Sequence, residues 1–295
     1  MEGRPVTPVI AVGVDGSDES LQAARWAADE AVRRRVGVHL VHAWLWQPLA
    51  LPVVQDRDAE ARRAEDVLGE AVDELAARHP ELAVTAEVVQ DVPVPALLRA
   101  AGAAEMLAVG SRGHGALAGF LLGSYGQQVI AESRRPVVAV RATYGQEPAR
   151  QNGEVVVGQQ GGVEDSHDVL GFAFETAAAR GVAVRAVRAW ALPSLYAYSP
   201  GSLYLVDQAG GLEPYERAAL RQAVEPWRAK YPDVAVVEHV EMGSGGQVLL
   251  SAAAGAGLVV VGRRARRSAV GTRIGSVAHA VLHHAPCPVA VVPLG

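Results

Sequence analysis

The stretch MLAVGSRGHGALAGFLLGSYG, Met106 to Gly126, passes from an unbroken apolar segment through a glycine-rich loop and into an amphipathic stretch. MLAV, like VVAV (Val137 to Val140) and LVVVG (Leu258 to Gly262), has no polar alternation. Strands buried on both faces read this way, so the pattern predicts a parallel sheet covered by helices. Working outward through the first half, strands are expected at Val9–Val14, Val38–Ala43, Ala83–Val89, Met106–Val109 and Val137–Val140. Helices are expected at Ser20–Arg35, Ala59–His79, Val94–Gly102 and Ser124–Ser133. This is a doubly wound α/β domain, a five-stranded, mainly parallel sheet flanked by helices. Such sheets hold ligands beyond the strand C-termini where strand order reverses, so chemistry is expected just after strands one and four.

The whole pattern occurs twice. VGVHLVHAW (Val36 to Trp44) is repeated as VAVRAVRAW (Val182 to Trp190) at an offset of 146 residues, and MLAVGSRG as LVVVGRRA at an offset of 152. Two registers differing by only six residues over a whole unit indicate a tandem duplication. The expected division is a first domain at 1–143, a linker at 144–153 and a second domain at 154–295. The linker, YGQEPARQNG, has the glycine, proline and polar content of a connecting segment.

Two domains of about 150 residues fit the usual domain size, and half of the 295 residues are apolar, as suits a globular core. No window holds 18 consecutive apolar residues and the N-terminus has no leader-like run, so a protein neither membrane-spanning nor secreted is expected. Cys287 is the single cysteine, which suits a reducing cytoplasm. A net charge of −5 argues against a broad nucleic-acid surface. Lys230 is the only lysine among 27 basic residues, so no Walker loop with its phosphate-binding lysine can be built.

After strand four, Gly110 is followed by two residues and Gly113, then by nine residues, Gly123 and Ser124. Glycines let backbone amides approach a ligand closely, and the helix that follows presents an N-terminus that favours anions. With Asp15 at the end of strand one, these residues make the chain similar to the universal stress protein family, a likeness that covers both halves. The resemblance implies an adenine nucleotide alpha hydrolase-like fold that binds ATP, or ADP or AMP. In that reading Asp15 lies by the ribose and adenine, and Ala43, at the end of strand two, offers its backbone to the adenine. Gly110, Arg112, Gly113, His114, Gly123 and Ser124 surround the phosphates. Mg2+ is an ion that could accompany them. The resemblance also implies a nucleotide-dependent regulator in stress or dormancy responses. Taken on their own, Asp15, Gly16 and Ser17 equally suit a turn that caps the first helix.

The second copy departs from the pattern. Gly262, Gly275 and Ser276 keep their spacing, but Ala265 stands where the second glycine is expected and Gln160 where the strand-one aspartate is expected. Arg263, Arg264, Arg266 and Arg267 crowd the loop and suit either a phosphate or a solvated face. His279 and His283 share a helix face near His284 and Cys287, but no carboxylate stands beside them and no metal site is expected. Hydrolysis needs an activated water and a positioned base, and the segment Gly110 to Ser124 holds no acidic residue. Binding is therefore favoured over catalysis. The alternatives are a weak ATPase or phosphotransferase using His114, and a second domain that keeps the fold without binding nucleotide. The apolar last strands, PVVAVRA and PVAVVPL, need cover. A homodimer or an intramolecular pseudo-dimer is expected to supply it.

Overall fold

The computed structural model describes residues 8–45, 57–111, 123–145, 152–191, 211–264 and 274–295. The chain divides into two compact units, Met1–Glu147 and Pro148–Gly295. In the first, β1 (Val9–Gly13), α1 (Asp18–Arg34), β2 (Gly37–Ala43), α2 (Arg57–Arg78), β3 (Val84–Val89), α3 (Pro93–Gly102), β4 (Met106–Ser111), α4 (Ser124–Glu132) and β5 (Val137–Arg141) follow one another. Every element expected in this half is present, with ends shifted by one or two residues. The strands lie in the order β3-β2-β1-β4-β5 and every pairing is parallel. Strand order reverses between β1 and β4, which are direct neighbours.

The second unit repeats this plan. It comprises β6 (Val155–Gly158), a short 3-10 turn at Glu164–Ser166, α5 (His167–Arg180), β7 (Val184–Trp190), α6 (Glu213–Lys230), β8 (Val236–Met242), α7 (Gly245–Ala252), β9 (Leu258–Arg264), α8 (Ser276–His284) and β10 (Val289–Leu294). Its strands run β8-β7-β6-β9-β10, again all parallel.

Burial explains the patterning. Ile10, Ala11 and Val12 of β1 and Leu107 and Ala108 of β4 are wholly buried, because helices cover both faces of the central strands. β3 lies at the end of the strand order, and its Thr85, Ala86 and Glu87 are exposed. α1 turns a strip of alanines, Ala23, Ala24, Ala27, Ala28 and Ala31, onto the sheet. Small side chains there allow a close approach, and Trp26 fills the remaining volume.

Charged groups tie the helices together in both units. In the first, Asp29 on α1 accepts hydrogen bonds from Arg78 Nε and Nη2 at 3.0 Å and from Tyr144 Oη at 3.0 Å, and lies 2.8 Å from His79 Nε2. In the second, Glu175 faces Lys230 and the Tyr231 hydroxyl in the same way, at 3.8 and 3.5 Å. Burial alone would raise the Asp29 pKa, but the hydrogen bonds from Arg78 and His79 outweigh it and hold the carboxyl below its ordinary 3.8. A depressed carboxylate pKa adds stability that is present above the unfolded value and lost as pH falls through the folded one. Asp29→Asn is therefore expected to destabilise the first domain by about 1.5 kcal/mol at neutral pH. This is the low end for charged hydrogen bonds, because the Arg78 side chain is 43% exposed. Urea unfolding at a series of pH values should show the gap between variant and wild type closing below pH about 4. A constant gap across that range would mean that Asp29 contributes packing alone.

Candidate functional site

β1 and β4 are neighbours and end on the same side of the sheet. A Cβ placed on Gly110, in β4, would lie 2.5 Å from the carbonyl carbon of Glu19 and 2.7 Å from the amide nitrogen of Ser20. The start of α1 thus presses its backbone onto the end of β4, and only glycine leaves room for it. This contact holds the start of α1, and with it the Asp15 loop, at the end of β4.

The Asp15 loop is ordered by its own side chains. The Asp15 carboxylate, through Oδ1, accepts from the Ser17 amide at 3.0 Å and the Ser17 hydroxyl at 2.5 Å. Ser17 is the N-cap of α1, and its Oγ accepts from the Ser20 amide at 3.3 Å. Gly16 has a φ of +79°, a left-handed turn that favours glycine. The capping role that Asp15, Gly16 and Ser17 suit in sequence is therefore realised, and the Asp15 side chain remains exposed at the cleft. Ser20 is a further contributor: its buried hydroxyl donates to Ser17 O at 2.8 Å and accepts from the Asp15 amide at 3.3 Å. A serine inside a helical pattern gave no warning of this role.

The start of α4, the helix that follows β4, is the second element of the candidate site. Gly123 is its N-cap and makes no side-chain capping bond, and Ser124 is the first helical residue, exposed. α8 starts alike in the second unit, with Gly275 as N-cap, no side-chain capping bond, and Ser276 exposed. The first amides of a helix have no intrahelical acceptor, and together with the helix dipole they favour an anion. Ala43 ends β2 opposite Val89 and is half-buried. Arg112, Gly113 and His114, and in the second unit Ala265, Arg266 and Arg267, lie outside the described residues.

The second unit's cleft is built differently. The amide of Gln159 bonds the Val187 carbonyl as the amide of Val14 bonds that of Val41, so Gln159 corresponds to Val14 and Gln160 to Asp15. Gly161, with a φ of +80°, corresponds to Gly16. The 3-10 turn follows, and a Cβ on Gly262 would meet the Leu294 side chain at 3.0 Å rather than helix backbone. Asp165 is turned into this loop: its Oδ2 accepts from the Gly162 amide at 3.0 Å, and its Oδ1 lies 3.6 Å from Arg264 Nη2. One arginine of the cluster is thereby partnered by a carboxylate. Arg263 is half-buried, and desolvation pulls its guanidinium pKa down.

Among the described residues, no group of three or more His, Cys, Asp and Glu side chains is arranged to hold a metal ion. His279 and His283 lie side by side with ring centroids 4.2 Å apart, and Cys287 is buried. Trp44, just past the end of β2, and Trp190, the last residue of β7, are both half-buried. Among the described residues no helix is long and apolar enough to cross a membrane.

Comparison with known proteins agrees with this architecture. The chain is 34% identical over 289 residues to a universal stress protein of Mycobacterium tuberculosis, covering 96% of each sequence. A second universal stress protein of that organism is 30% identical over 301 residues, covering 96% of this chain and 94% of the relative. Among solved structures, a universal stress protein from Archaeoglobus fulgidus shares the fold with a TM-score of 0.66 at 19% identity, covering 97% of this chain and 98% of that one. The sequence profile described as the Universal stress protein family matches twice, at residues 8–141 and 153–293. The chain belongs to the universal stress protein family, as a tandem of two such domains.

Proposed function

We propose that the chain is an adenine-nucleotide-binding regulator whose principal site is the cleft of the first domain. One observation carries this reading: α4 opens on Gly123 and Ser124 with no capping side chain, at the end of the glycine-spaced loop that leaves β4, while Gly110 holds the Asp15 loop against that strand. A phosphate chain would accept from the α4 amides and the Ser124 hydroxyl, with the Gly113 segment, Arg112 and His114 around it. Asp15 would accept from a ribose hydroxyl, and the Ala43 backbone would meet the base. ATP is the expected ligand, with ADP or AMP in the same place and Mg2+ as an accompanying ion. In the second domain Gly262, Arg263, Ala265, Gly275 and Ser276 would form the phosphate half of a corresponding cradle.

Occupancy of the first cleft would alter the chain's conformation or its choice of partner, and so report cellular energy state in a stress or dormancy response in the cytoplasm. The apolar last strands, β5 and β10, would seal an assembly of two equivalent units, either within one chain or between two chains.

Titration calorimetry with ATP tests the site. Asp15→Asn keeps acceptor atoms for the Ser17 turn but removes the charge, and Gly113→Val narrows the loop. Each is expected to weaken ATP binding at least about tenfold, or 1.4 kcal/mol, with the circular dichroism spectrum intact. Unchanged affinity in both variants would refute the site assignment. Phosphate release measured on the same samples separates binding from hydrolysis. Multiple turnovers that disappear in His114→Ala would replace the regulator by an ATPase.

A further inference from the structure

Beyond the exchange of Asp15 for Gln160, three further differences between matched positions of the two domains form one structure. Val14 and Gln159 correspond through their bonds to Val41 and Val187, so the next strand residues, His42 and Arg188, also correspond. Leu75 and Trp227 accept from His79 and Tyr231 at the same helix end. Counting back equally from them pairs Ala64 with Glu216, with buried Leu68 and Ala71 matching buried Leu220 and Ala223. The first domain thus carries valine, histidine and alanine where the second carries glutamine, arginine and glutamate.

In the first domain the same three positions carry small or apolar side chains and one histidine. Val14 and Ala64 are buried, and His42 Nδ1 lies 2.8 Å from the Val14 carbonyl oxygen. In the second domain, Arg188 Nε donates to Glu216 on α6 at 2.5 Å, while Nη1 donates to Gln159 Oε1 at 2.6 Å and to the Gly161 carbonyl at 3.0 Å. Gln159, only 4% exposed, donates from Nε2 to the same Gly161 carbonyl at 3.0 Å and to Ser166 Oγ at 3.3 Å. The Arg188 and Glu216 side chains are 14% and 19% exposed. Charge-assisted bonds shielded to this degree are strong and hold their geometry.

The loop that carries Gln160, the counterpart of Asp15, is therefore bolted at Gly161 to the second strand and to the helix that follows it. We propose that this Arg188 latch shuts the second domain's strand-one loop against a nucleoside, so that each chain binds one adenine nucleotide, in its first domain. The latch rests on the nucleotide reading of the first cleft. It assigns Arg188 as the residue that makes the two domains unequal. Any nucleoside that reshaped the loop would have to break the bonds converging on the Gly161 carbonyl and leave a partly buried guanidinium underpaired. Asp165, turned into the same loop beside Arg264, adds a negative charge that disfavours phosphate.

Equilibrium dialysis of the full chain with ATP tests the proposal, and its outcomes separate the two readings. Wild type is expected to bind one ATP per chain. Binding of none overturns the nucleotide reading itself, whereas binding of two overturns the latch. In an Asp15→Asn and Gly113→Val background, at ATP concentrations that leave the weakened first cleft empty, Gln160→Asp alone is expected to recover no binding. Adding Gln159→Val, Arg188→His and Glu216→Ala, which gives the second cleft the first domain's residues, is expected to recover up to one ATP per chain. Recovery with Gln160→Asp alone, or none with all four in a chain of unchanged circular dichroism, overturns the proposal. Hydrogen exchange on wild type gives a readout that does not depend on how the variants fold. The amides of Gln160 to Asp165 should exchange at least tenfold more slowly than those of Asp15 to Glu19, and equal rates overturn the latch.

Discussion

Gly110→Ala is expected to lower the melting temperature of the first domain by about 6–12 °C, the shift that about 3 kcal/mol produces in a domain of this size. Overpacking usually costs about 1–3 kcal/mol, and this site belongs at the upper end. The new methyl group would sit 2.5 Å from the Glu19 carbonyl carbon, 2.6 Å from its oxygen and 2.7 Å from the Ser20 nitrogen. All three are backbone atoms inside a helix, so no side chain can swing aside. α1 must retreat from β4, and with it the Asp15 loop, so ATP affinity is expected to fall as well. Gly262→Ala is the internal control. Its methyl group would meet the far end of the Leu294 side chain at 3.0 Å, which a rotamer change relieves. Scanning calorimetry of both variants checks this, and equal shifts would mean that β4 and α1 are not pressed together.

Trp227→Ala is expected to destabilise the second domain by about 3–5 kcal/mol, the usual cost of deleting a buried large aromatic. Trp227 on α6 is 7% exposed and stacks near Phe174 and Tyr231, with ring centroids 6.3 and 6.4 Å away, while Lys230 Nζ lies 5.2 Å from its ring centre. Its place is made by Gly171 on α5, where a Cβ would come within 2.7 Å of the indole. The first domain solves the same contact differently. Arg25 stands at the Gly171 position and pairs with Glu74, and buried Leu75 stands at the tryptophan's position. Trp227→Leu should accordingly cost less than the alanine variant but more than zero, because no neighbour fills the space that Gly171 opens. Denaturant titration followed by tryptophan fluorescence and far-ultraviolet circular dichroism measures both. A loss below about 1 kcal/mol for the alanine variant would show that the helix pair repacks freely.

The fold was legible because buried parallel strands leave an unambiguous trace. VIAVG and MLAV cannot be half-exposed strands, and the amphipathic stretches between them can only cover the sheet. The site was legible in part. Gly110, Gly123 and Ser124 announce themselves by spacing, and Asp15 by its place after a strand, but their reasons differ. Gly110 is glycine because a helix backbone crowds it, whereas a Cβ on Gly123 would meet none of the described residues and the glycine instead opens a helix. Spacing alone cannot separate these two requirements. The Arg188 latch was not legible, since its members lie 29 and 28 residues apart along the chain and each is unremarkable alone. Only alignment of the two halves, position against position, shows three replacements that make sense together.

The strand order carries a consequence for how the chain is made. β1 leaves the ribosome before the other strands of its sheet, yet its second neighbour, β4, follows almost a hundred residues later. A central strand therefore waits with one edge unpaired, and parallel pairings between distant segments form slowly. The first domain can complete its sheet once β5 has emerged, while the second half is still being synthesised. At roughly 5–20 residues per second, the remaining half takes roughly 7–30 s to appear. During that interval the emerging β6 and β7 share the surroundings of a finished domain with near-identical strand patterns. A completed first sheet offers them no vacancy beside β1, so the order of synthesis protects each copy from pairing with the other's strands.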